Sequence, residues 1–129
     1  MNEANPPPVI AFPMIKLVAI LEELSTIAHL SQSLLKWYMA DTELEDWDDS
    51  ALPTLIDING SSSKLTQFIT DKIKNPSPEE LLIAAAMEFK EDTLPFMEAE
   101  LVMISSVLGT IDQNKALLRM KYNISFEVH

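Results

Sequence analysis

A length of 129 residues sets one domain as the expectation, and 47% apolar content with only two glycines favours a packed helical core over disorder. The chain has no cysteine, which excludes disulfides, thiolate metal sites, iron–sulfur clusters and a thiol nucleophile. Its net charge of −11, from twenty acids and nine bases, opposes partnership with nucleic acid or anionic membranes, where Lys and Arg must neutralise phosphate.

Residues 1–13 read as an extended, proline-rich arm. Pro6, Pro7 and Pro8 favour polyproline II, and Pro13 closes the arm. Between them Val9, Ile10 and Phe12 form an apolar patch that a solvated tail would not need, so the arm is expected to dock. The arm lacks the basic region and long apolar core of a secretory signal, and a cytoplasmic location is the expectation.

Residues 14–40 carry the strongest helical pattern. With Met14, Leu21, Ala28 and Leu35 at heptad position a, position d holds Leu17, Leu24, Ser31 and Tyr38, and position g holds Ile20, Ile27 and Leu34. The stripe lasts more than three heptads and is interrupted only by Ser31. Small residues at position f (Ala19, Thr26, Ser33) mark the opposite face, and a helix of this length spans about 40 Å.

The densest charge follows. Asp41, Glu43, Glu45, Asp46, Asp48 and Asp49 surround Trp47 with no base among them, and Thr42 to Glu45 matches a capping box for a short helix. An aromatic residue amid carboxylates is a candidate for docking on a basic, partly apolar surface.

Residues 53–74 send two messages. Leu55, Ile58, Ser62, Leu65, Ile69 and then Lys72 or Ile73 follow a helical stripe, whereas Asn59-Gly60 followed by three serines is a turn signal. The expectation is a break near Gly60 with a helix over 63–74, and the alternative is an α+β fold with a hairpin near residues 54–69. Ser77-Pro78-Glu79-Glu80 then starts a helix expected to reach Asp92, with a corner at Thr93-Leu94-Pro95. A second long helix follows the stripe Met97, Leu101, Ile104, Leu108, Ile111 and Leu118, with Gly109 as a point where it kinks or divides. In the last residues Tyr122, Ile124, Phe126 and Val128 alternate with polar ones, a strand pattern expected to pair with the Val9–Phe12 arm or across a subunit boundary.

The expected fold is therefore mostly α: a small bundle of four or five helices, two of them long. An N-terminal arm (1–13), a helical domain (14–121) and a β-like tail (122–129) divide the chain. No catalytic motif, metal-ligand spacing or phosphate-binding glycine loop is found, and no cofactor is expected. Adjacent acids such as Glu79 and Glu80, or Glu98 and Glu100, read as ordinary surface carboxylates. The function these features favour is a non-catalytic interaction, assembly or adaptor protein that forms a homo-oligomer or binds a protein partner. The alternative is an acidic inhibitor, of the kind represented by immunity proteins, antitoxins and nucleic-acid mimics, that holds a basic partner through residues 41–49.

Overall fold

The computed structural model describes residues 9–40 and 51–126, with the backbone alone for 38–40. Among them, four helices and two strands follow in the order β1 (Val9–Pro13), α1 (Met14–Ala40), α2 (Ala51–Lys74), α3 (Pro78–Ala86), β2 (Thr93–Met97) and α4 (Glu98–Tyr122). The fold is mostly α, a small bundle with a two-stranded antiparallel sheet. Three helices are long, at 27, 24 and 25 residues.

The heptad reading of α1 matches its burial. Leu17, Leu24 and Ser31 at position d are fully buried and Ile27 nearly so, while Ala19, Thr26 and Ser33 at position f are exposed. Ser31, the interruption in the stripe, is a polar contact inside the core. Its hydroxyl donates to the Ala28 carbonyl at 3.0 Å, and the Asn59 amide donates both to that carbonyl at 3.1 Å and to Ser31 Oγ at 3.0 Å. A buried hydroxyl left unpaired would cost about 1–3 kcal/mol; here it ties α1 to α2.

The same Asn59 explains why the expected break near Gly60, and the alternative hairpin over 54–69, do not occur. Helix α2 runs uninterrupted through both residues. Its stripe Leu55, Ile58, Ser62, Leu65 and Ile69 is buried throughout. Burying the four large aliphatic residues contributes about 2 kcal/mol each, whereas an internal glycine costs about 1 kcal/mol, so packing wins. Ser62 and Thr66 donate to the Ile58 and Ser62 carbonyls, both at 2.7 Å, one helical turn back.

The arm does dock, on an element that the sequence reading took for a corner. Val9–Pro13 pairs antiparallel with Thr93–Met97, with Val9 opposite Met97 and Pro13 opposite Thr93. A two-stranded ribbon is marginal by itself, and this one is held by burial of Leu94, Pro95 and Phe96. The Phe12 and Phe96 rings meet edge to face at 6.0 Å. Both prolines tolerate a ribbon in which each strand has a free edge. The first amide of α1, Met14, donates to the Asp92 carbonyl at 2.7 Å, which anchors the helix start to the sheet.

Helix α3 stops at Ala86, short of the expected Asp92. Glu88 turns left-handed (φ 56°), and the Glu88 and Phe89 amides return to the Ala85 and Ala84 carbonyls. That reversal brings the chain back in time for β2. Helix α4 keeps Gly109 internal and ends at Asn123, also left-handed (φ 56°), a conformation asparagine adopts readily. The turn folds Ile124 and Phe126 back into the core. Within the described residues the tail is therefore buried but forms no strand, and the arm's partner is β2.

Candidate interaction surface

One ionic cluster joins four elements at the end of α2. Lys72 reaches Glu80 of α3 and lies 3.0 Å from Glu100 of α4, with its ammonium 5.0 Å from the centre of the Phe96 ring of β2. Glu100 also accepts the Met97 amide at 2.9 Å and so caps α4. All three charged side chains are largely buried. The sequence reading placed Glu80 and Glu100 on the surface; the structure corrects this, since both carboxylates converge on one lysine. A lysine aligned with an apolar stripe was the available signal, because a buried ammonium requires a counter-charge. With every carboxylate engaged, the cluster acts as a structural clasp.

The outer surface carries more apolar area than the clasp does. One groove of about 430 Å³ runs between α1 and α4, lined by Phe12, Leu17, Ile20, Leu101, Ile104 and Leu108 among others. A second, about 240 Å³, lies on the other flank of α4 and is lined by Ser61, Lys64, Leu65, Phe68, Met103 and Val107. Helix α4 exposes Val102 and Met103 beside these grooves, and Leu117 and Met120 farther along towards its C-terminal end. Leu81, Leu82 and Met87 are exposed on and just after α3. Of the methionines, Met14 and Met97 are half-buried, whereas Met87, Met103 and Met120 face solvent.

The predicted interaction residues divide among three places. Val9 and Phe12 are half-buried in the ribbon, and Ile10 is exposed beside them. Tyr122 is half-buried at the end of α4, with the Lys121 ammonium 5.5 Å from its ring centre, and Ile124 and Phe126 are buried beyond it. A small opening of about 170 Å³ separates this tail from Lys115, Ala116 and Arg119. Asp41, Glu43, Glu45, Asp46, Trp47, Asp48, Asp49 and Val128 lie outside the described residues. Among the described residues, the arm and the tail are not brought together as a strand pair.

The chain matches no protein family, and no curated sequence or solved structure resembles it closely enough to support an argument. Among the described residues, no group of three or more His, Asp or Glu side chains is placed to hold a metal ion. No described helix is long and apolar enough to cross a membrane.

The outward apolar residues of α4 were missed in the sequence because its pattern was read for one stripe alone. The core stripe accounts for Ile104, Ile111 and Leu118. Val102, Leu117 and Met120 fall on another face.

Proposed function

We propose that this chain is a non-catalytic assembly or adaptor protein that self-associates. The observation carrying the reading is the outer side of α4, where exposed apolar residues lie beside two apolar grooves. Exposed apolar side chains beside apolar grooves are the kind of surface that soluble proteins use for interaction, and here they form two groups, Val102 with Met103 and Leu117 with Met120. The ionic groups that could have suggested chemistry, Lys72, Glu80 and Glu100, are engaged with one another.

The test is the mass of the purified protein by light scattering over a concentration series, in 0.1 M and in 1 M salt. The reading expects a mass above 14.5 kDa that rises with concentration and changes little with salt. A second reading rests on the acidic run from Asp41 to Asp49, which carries six acids and no base. It expects a monomer that captures a basic protein at low salt and releases it at high salt.

A further inference from the structure

We propose that the outer face of α4 is covered by a second copy of this chain, packed helix against helix and antiparallel. The proposal rests on the self-association reading and names its surface, its occupant and its direction.

The face has the spacing of a helix–helix seam. Ala99, Ser106, Gln113 and Met120 recur every seven residues, and Val102, Gly109 and Ala116 fall between them, so the intervals alternate between three and four. All seven are exposed and none is charged. They lie away from Ile104, Ile111 and Leu118, which face the protein's own core. Val102 is 63% and Met120 86% exposed, and Met103 and Leu117 border the seam on one side. At its middle, nothing lies within 4 Å of where a Cβ on Gly109 would stand. Small side chains there let a second helix axis come close.

Charge identifies the occupant and its direction. Helix α4 holds three acids and three bases, although the chain as a whole is at −11, so two copies meet there without net repulsion. The other flank of the seam carries Glu98, Ser105, Asp112 and Arg119 at seven-residue intervals. In an antiparallel pair like flanks face each other, which sets Glu98 against Arg119 of the second copy, twice by symmetry, and Ser105 against Asp112. Shifting the register by one heptad would oppose Asp112 to Asp112 of the second copy in one direction, and Glu98 to Asp112 in the other. A parallel pair would set the acidic flank beside Met103 and Leu117, and like helix ends side by side. Antiparallel packing instead brings Glu98, in the first turn, to the basic last turn with Arg119 and Lys121. These rim pairs contribute little energy; they set orientation. In this register Ala99 of one copy lies beside Ala116 of the other, and Ser106 beside Gly109. A contact of one helix face is at the small end for protein interfaces, so the dimer should be concentration-dependent.

The absence of native cysteine makes thiol cross-linking a clean test. Ala99→Cys and Ala116→Cys variants, both at exposed positions, are mixed and mildly oxidised, and each is also oxidised alone. The expected result is a disulfide-linked dimer in the mixture and none with either variant alone, since each position sits about 25 Å along the axis from its own copy. Cross-linking of Ala99→Cys with itself would mean parallel packing and overturn the proposal. A native protein of dimeric mass whose mixture gives no disulfide would overturn it while leaving self-association standing. A native protein that is monomeric at every concentration would overturn both.

Discussion

Helices α1 and α4 are of nearly equal length, and each buries an apolar stripe against the rest of the bundle, but their outer sides differ. The exposed side of α1 mixes charge, at Lys16, Glu22, Glu23 and Lys36, with His29 and with the apolar Ile15, Val18 and Trp37. The exposed side of α4 also carries charge, at Glu98, Asp112, Arg119 and Lys121, but these lie to the sides of a strip that is uncharged from Ala99 to Met120. Solvent explains the first composition and does not require the second. The difference teaches that a helix's partners are counted by subtracting the residues its own core uses and examining what apolar surface remains.

The largest expected effect breaks the inner side of α1. Leu24→Asp puts a carboxylate at a fully buried position with no counter-charge, and the expected outcome is loss of cooperative unfolding in circular dichroism. Thr26→Asp, on the exposed face two residues away, should leave the melting curve within about 0.5 kcal/mol of native. Equal tolerance of both would refute the packing of α1.

Next comes the end of α4, where the chain covers its own apolar surface. Phe126→Ala should destabilise by about 3 kcal/mol in urea titration, because a buried ring is removed from the core. It should not reduce dimer mass if the tail serves its own chain. A smaller step is Lys72→Ala, which leaves Glu80 and Glu100 partly buried without their cation. A loss of about 2 kcal/mol is expected, less than for a fully buried pair because some solvent reaches the carboxylates. The smallest is a gain: Gly60→Ala should stabilise by up to about 1 kcal/mol, since the residue is inside α2 and a Cβ there meets nothing within 4 Å. A loss on that substitution would show that the asparagine–glycine pair does govern the backbone at this point.

The elements legible in the sequence were those whose pattern and packing agree. The stripe of α1, the buried positions of α2 and the inner face of α4 all follow from periodicity. Less legible were features where a local signal met a distant partner. Asn59-Gly60 looks like a turn until the amide's partners on α1 are known, 28 and 31 residues away in sequence. Thr93-Leu94-Pro95 looks like a corner because only pairing with Val9–Pro13 makes it a strand. The tail's alternation gives Ile124 and Phe126 one apolar face and reads as a strand, yet the left-handed turn at Asn123 folds both into the core of their own chain. The Lys72 clasp needed three elements to converge, which no short window contains. For the interaction surface, the sequence reading favoured the arm, the acidic run and the tail. The second face of α4 emerges once the buried face is known.

Sedimentation equilibrium on the native chain and on Val102→Asp tests the central claim most directly. Val102 is exposed in the single chain, so the substitution should leave the melting temperature unchanged at concentrations where the native chain is monomeric. It places a carboxylate, without a matching cation, in the seam that a second copy would cover. The account predicts a native mass that climbs with concentration towards twice 14.5 kDa, and a variant that remains at 14.5 kDa throughout. A variant that dimerises as strongly as the native chain, at the same melting temperature, would contradict it.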